Sequence, residues 1–240
     1  MATESYNLFC NQLNSVIKKF PNLKITELDG ADALKGILDI RNDQNEVVGS
    51  FSVEIRYRME FPYRFPLLYE VGGDIPNIAD RHKYTDDSCC ITVLPYEILK
   101  CKNGISVLTF IEEYAIPYFA NQIYYLQNEK YLNGEYSHGK NGYIEFYTKF
   151  FKTADVSKWR ENVERVNSGT IIKMDRNKPC FCGSCQKYKN CHDKIYFDIS
   201  RLGTSEILKQ IDTILSKTQY NEKKTIYRFI KRGFVLCKSN

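Results

Sequence analysis

Two groups of residues in this 240-residue chain have the types and spacing to do chemistry. The first is Cys89-Cys90, preceded by Asp86-Asp87-Ser88 and, eight positions before Cys90, by His82. A thiol with a nearby imidazole suits covalent acyl transfer: the thiolate takes an acyl group and a second nucleophile, such as a Lys amine, removes it. One cysteine alone is a weak signal, because cysteine is among the most buried residue types. Asp86 and Asp87 disfavour a thiolate at Cys90; they could steer or deprotonate an incoming amine, or be solvated loop acids. The second group is Cys180-Phe181-Cys182-Gly183-Ser184-Cys185, followed by Cys191-His192. Cys180, Cys182, Cys191 and His192 supply the four nitrogen and sulfur ligands of a tetrahedral Zn²⁺ site, structural because no position stays open for water. So short a knuckle has little core, and the metal would supply most of its folding energy. Cys185 reads as a free thiol.

The nine cysteines are an odd number, with four inside 180–191, which does not suit a secreted disulfide framework. No charged-then-apolar leader opens the chain, and no uncharged apolar run approaches bilayer length. Both observations lead to the expectation of a cytoplasmic protein with no membrane partner. Aromatic residues make up 14%, which argues against disorder over a whole domain. Charge is uneven. Residues 1–150 hold 15 Lys and Arg against 20 Asp and Glu, whereas residues 151–240 hold 19 against 9. Two parts of different character are implied.

The elements that must position these groups follow from periodicity. Leu8, Phe9, Leu13, Val16, Ile17 and Phe20 share one face of a helix over 5–19. Strands are expected over 24–29, around Ile37–Ile40, over 51–57, where apolar and polar residues alternate, and over 67–71. Asn42-Asp43-Gln44-Asn45 supplies a hairpin turn. Residues 72–99 look irregular, with His82 and Cys90 inside them. A helix is expected from about 105 with a break at Pro117, and another over 142–152. Residues 153–178 read as a polar connector anchored by Trp159. An amphipathic helix carries Ile207, Leu208, Ile211, Ile214 and Leu215, before a basic stretch from Lys223 to Arg232. The order is that of an α+β fold, with a domain over 1–152, the connector over 153–178, and a zinc knuckle with a basic helical tail over 179–240.

The meander, then Pro62-Tyr63-Arg64-Phe65-Pro66, Gly72-Gly73-Asp74-Ile75-Pro76, His82 and Asp86-Asp87-Ser88-Cys89-Cys90-Ile91, resembles the ubiquitin-conjugating enzymes. It is similar in particular to bacterial relatives found in antiphage (CBASS-like) operons, which carry a His before the Cys and a His-Gly element further on, here His138-Gly139. The resemblance covers about residues 5–150. It implies a ubiquitin-conjugating-like fold: an N-terminal helix, a four-stranded antiparallel meander, an active-site loop and C-terminal helices. Cys90 would be the nucleophile, Cys89 would fill the preceding apolar position, and His82 and His138 would assist. His82 stands where eukaryotic members carry Asn, and a His can also donate to a developing oxyanion. Asp87 replaces the usual Gly. The second cluster is similar to the SEC-C motif, a zinc-binding knuckle first recognised at the end of the bacterial preprotein translocation ATPase. Cys185 stands where that motif has Gly.

The resemblance implies an enzyme that carries the C-terminus of a protein as a thioester on Cys90 and transfers it to a protein target in antiphage defence. The donor would be a ubiquitin-like protein or a cGAS-like cyclic-oligonucleotide synthase. No Gly-rich ATP-binding loop is present, so activation would fall to another enzyme. Two other readings stay open: a non-catalytic, zinc-containing binding module, and a cysteine hydrolase pairing Cys90 with His138. Nucleic acid is not an expected partner, because no stacking aromatics interleave with the basic residues.

Overall fold

The computed structural model describes residues 3–131, 136–137 and 139–216. The chain divides into two compact units, Met1–His138 and Gly139–Asn240.

The first unit opens with α1 (Glu4–Lys19), whose N-cap Thr3 hydroxyl accepts the Tyr6 amide at 3.2 Å. Lys18 and Lys19 sit in its last turn, where the helix dipole favours cations. Phe9, Leu13 and Val16, at 3.6-residue spacing, are its buried face. The chain then forms β1 (Leu23–Leu28), β2 (Ala31–Arg41), β3 (Val47–Arg56) and β4 (Leu67–Glu70), one antiparallel sheet in sequential order. The register sets Leu34 opposite Ile55 and Leu38 opposite Phe51. Because strand side chains alternate, these four with Ile40, Val53 and Leu68 share the core face. The other face carries Lys35, Glu54 and Arg56; Glu54 accepts Lys35 at 2.9 Å and Arg56 at 2.5 Å. The β2–β3 turn forms as expected. The Asn42 side-chain oxygen accepts the amides of Gln44 and Glu46 at 3.0 and 2.9 Å.

After β4 come a 3₁₀ turn (Ala79–Arg81), α2 (Leu94–Cys101), α3 (Val107–Phe110), a π-helical turn (Ile111–Ala115) and α4 (Ile116–Asn128). Two expectations change here. Residues 72–99, expected irregular, contain the start of α2, with Pro95 in its first turn, where a missing N–H costs nothing. Pro117 does not break the helical run. It stands in the first turn of α4, directly after the wider π turn, so it meets no straight i−4 ladder. Phe119 of α4 stacks on Phe51 at 4.5 Å and ties this helix to the sheet.

The second unit contains α5 (Lys140–Phe151), α6 (Val156–Asn167), α7 (His192–Leu202) and α8 (Thr204–Ser216). Residues 153–178, read as a connector, hold α6. Its sequence is mostly polar, yet Trp159 and Val163, four apart, are fully buried. The Trp159 indole donates to the Thr153 carbonyl at 2.8 Å and stacks on Phe151. The fold is thus α+β, with a four-stranded antiparallel sheet and several helices, and a separate Cys/His cluster. Among the described residues, no helix is long and apolar enough to cross a membrane.

Candidate functional site

The segment carrying Cys90 is a small hairpin hung from β4. The buried Glu70 carboxylate at the end of β4 accepts the amides of Gly72 and Ile75, at 2.6 and 3.2 Å, and gathers the start of the loop. His82 then reverses the chain in the left-handed region (φ 51°, ψ 49°). The Tyr84 amide donates to the Ser88 carbonyl at 2.8 Å, and the Cys90 amide to the His82 carbonyl at 2.7 Å. The returning strand bonds to β4 through the Cys89 amide and the Leu68 carbonyl, at 2.7 Å. At the tip, Asp87 takes φ 65°, a conformation Gly adopts freely and Asp tolerates. This is how the hairpin closes without a Gly at its tip. Asp86 braces it by accepting the Ser88 amide and hydroxyl at 3.1 and 2.6 Å. The Ser88 hydroxyl bond in particular holds the Asp86 carboxyl below the usual range, so it stays ionised.

The two neighbouring thiols differ. Cys89 is 6% exposed and burial pushes its thiol up to about 11. Cys90 is half-buried. Its thiol is also raised, chiefly by burial and further by the Glu97 carboxylate, while a hydrogen bond from the Tyr84 hydroxyl works the other way. Glu97 is itself buried and held by Arg64 at 2.8 Å and by the Phe65 amide at 2.9 Å. Cys90 at rest is therefore a protonated, accessible thiol, with a phenol beside its sulfur.

The His82 ring stands edge-on to Tyr131 at 5.1 Å, while its carbonyl holds Cys90. His138 lies outside the described residues. Behind the turn, α4 presents Tyr118 and Gln122. The Tyr118 hydroxyl lies 3.1 Å from the His82 carbonyl and 3.3 Å from that of Arg81. The Gln122 amide donates to the Arg81 carbonyl at 3.0 Å, and its oxygen accepts the Arg81 Nε at 2.9 Å. The Arg81 guanidinium also lies over the Tyr125 ring at 4.6 Å. Sequence reasoning missed Tyr84, Tyr118 and Gln122. Only Tyr84's place between His82 and Cys90 could have signalled any of them.

In the second unit, a tight hairpin sets Pro179 opposite Lys187, and the Cys180 amide donates to the Gln186 carbonyl at 2.8 Å. Gly183 turns the chain at φ 73°. A 3₁₀ turn (Tyr188–Asn190) then delivers Cys191 and His192 to the start of α7. The ligand atoms of Cys180, Cys182, Cys191 and His192 all lie within 4.8 Å of one another. Cys180 Sγ is 3.2 Å from His192 Nδ1, and Cys191 Sγ is 3.6 Å from both Cys182 Sγ and that nitrogen. Metal–sulfur and metal–nitrogen bonds of about 2.3 and 2.0 Å give tetrahedral edges of roughly 3.5–3.8 Å, close to these separations. Burial pushes the Cys191 thiol up to about 11, with Cys182 adding to the rise. The donor set and its spacing fit a metal ion. Cys185 is exposed and outside the four.

No family profile matches the chain, and no solved structure matches it. Short stretches match the protein translocase subunit SecA. The similarity is 53% identity over 38 residues with the subunit of Borreliella burgdorferi (strain ZS7), and 58% over 33 residues with that of Borreliella afzelii (strain PKo). These matches span 16% and 14% of this chain, and only 4% and 3% of the SecA proteins.

Proposed function

We propose that the first unit is a ubiquitin-conjugating-like domain that carries the C-terminus of a protein on Cys90 and passes it to a target. The observation that carries this reading is the placement of Cys90. A half-buried thiol stands at the end of a hairpin hung from the last strand of a four-stranded meander, with Cys89 beside it withdrawn into the core. In the first step, the Cys90 sulfur attacks the acyl carbon of a donor thioester; the new C–S bond forms, the donor's C–S bond breaks, and the Cys90 proton leaves with the donor thiol. In the second, an amine attacks the same carbon, the C–N bond forms, and the amine's proton goes to the departing Cys90 sulfur. The ionised Asp86 supplies negative charge near an approaching ammonium. The resemblance to antiphage relatives makes a cyclic-oligonucleotide synthase the proposed cargo.

The cluster in the second unit is read as a structural zinc site, with Cys180, Cys182, Cys191 and His192 as ligands; the metal would fix the hairpin against α7. The short SecA similarity agrees with a SEC-C knuckle. The test is to express the Cys90→Ser and Cys90→Ala chains beside the donor and its activating enzyme. The Ser variant should trap an oxyester and the Ala variant should give no adduct. An adduct that survives Cys90→Ala would sink the reading. The raised Cys90 thiol favours one alternative, a binding module whose cysteine is not turned over, and the absence of any adduct on the wild-type chain would select it.

A further inference from the structure

The geometry points to Tyr118, supported by Gln122 one turn along α4, as a positioning residue for the Cys90 thiol; this rests on the reading of Cys90 as nucleophile. His82 is a non-glycine residue held in the left-handed region, a conformation that persists only where its surroundings enforce it. The enforcement comes from α4. Tyr118 and Gln122, four apart and so on one helix face, place donors on two consecutive carbonyls of the turn, those of Arg81 and His82. The His82 carbonyl is also the acceptor of the Cys90 amide at 2.7 Å. One buried phenol thus holds the nucleophile through the carbonyl bonded to its amide. The Tyr118 ring is 7% exposed and Gln122 is buried, so neither can meet a substrate. Their effect on the reaction must pass through Cys90.

The experiment uses the full chain and three variants. Tyr118→Phe keeps the ring and removes the hydroxyl. Gln122→Leu removes the second donor. Phe119→Leu, on the neighbouring position, weakens the stack on Phe51 and the edge contact with the Tyr118 ring, and keeps both donors to the turn. Alkylation of Cys89 and Cys90 by iodoacetamide is followed by peptide mass spectrometry, alongside the thermal midpoint and the kcat and KM of transfer. Tyr118→Phe should raise alkylation of both thiols by about fivefold, the factor one net hydrogen bond sets. It should lower kcat about 10- to 100-fold with KM unchanged. Gln122→Leu should do the same more weakly. Phe119→Leu should lower the midpoint and leave both thiol rates alone. The inference is overturned if Tyr118→Phe leaves the thiol rates at wild-type values, or if Phe119→Leu moves them equally. If the wild-type chain carries no adduct, the reading of Cys90 fails, but the alkylation rates of the variants still decide the positioning role.

Discussion

Lys83 and Cys89 lie directly opposite each other in the hairpin, and both are turned inward, 8% and 6% exposed. The Lys83 ammonium donates to the Glu70 carbonyl at 3.3 Å and lies 3.8 Å from the Asp87 carboxylate. Side chains alternate along extended backbone, so the pairing that buries Cys89 directs Cys90 the other way. A slip of one residue would exchange the two thiols.

That register predicts a large difference in reactivity within one dipeptide. In the native protein at pH 8, Cys90 should be alkylated at least about tenfold faster than Cys89, since the buried thiol is both shielded and less ionised. Peptide mapping after brief iodoacetamide treatment measures the ratio. Equal rates would show that the hairpin does not hold its register in solution. Cys89→Ala should cost about 1–2 kcal/mol of stability from lost packing and leave Cys90 reactive.

The pH dependence follows from burial. The Cys90 thiol is raised, so its alkylation rate should climb about tenfold per pH unit and show no plateau at or below pH 9. Stability has its own limit. Burial raises the folded-state values of Cys89 to about 11 and of Cys101 to about 12, from 9.0. A group raised on folding holds its proton more tightly in the native state, so its contribution is complete below pH 9 and is lost as pH rises through 11 to 12. Denaturant midpoints should be flat from pH 7 to 9 and fall above that. In Cys101→Ala the alkaline fall should be shallower, and an unchanged slope would remove Cys101 from the account.

Gly36 limits the sheet itself. It lies in β2 at φ 151°, opposite Leu23 and Val53, and an added Cβ would come 2.1 Å from the Asn22 carbonyl oxygen. That oxygen belongs to backbone held in place by the sheet, since it accepts the Ile37 amide at 3.2 Å. Gly36→Ala should therefore destabilise the first unit by more than about 2 kcal/mol, measured by urea denaturation. A loss below about 0.5 kcal/mol would mean that β1 can move away at little cost.

Much of this arrangement was legible in the sequence, for identifiable reasons. The 3.6 period gave α1, alternation gave β3, and ligand spacing gave the Cys/His cluster, because in each case the pattern lies along the chain. The parts that escaped depend on partners far away in sequence. The α6 helix is too polar for its period to stand out, and its burial hangs on Trp159 and Val163. The helical run through Pro117 survives because a π turn precedes it, which no propensity scale signals. Tyr118 and Gln122 matter only because α4 returns to the 81–82 turn, so their role is tertiary. His82 stands out in the sequence for its imidazole, and in the fold its carbonyl accepts the Cys90 amide.

Among the described residues, the buried apolar cluster at the Cys/His site is Cys180, Tyr188 and Cys191, with Met174 packed on them, far too little to hold a hairpin by itself. A bound Zn²⁺ would then supply the missing free energy, and its affinity should fall as pH drops and protons compete for the thiolates. The purified chain should contain one equivalent of zinc. Cys180→Ser, Cys191→Ser and His192→Ala should each lose most of it, whereas Cys185→Ser should keep it all. Removal by a chelator should expose the Tyr188 region to protease while Trp159, buried among α5 and α6, keeps its native fluorescence. A zinc content well below one equivalent and indifferent to Cys180→Ser would refute the metal. A content that Cys185→Ser lowers as much as Cys180→Ser does would show that the wrong fourth thiol was left out of the ligand set.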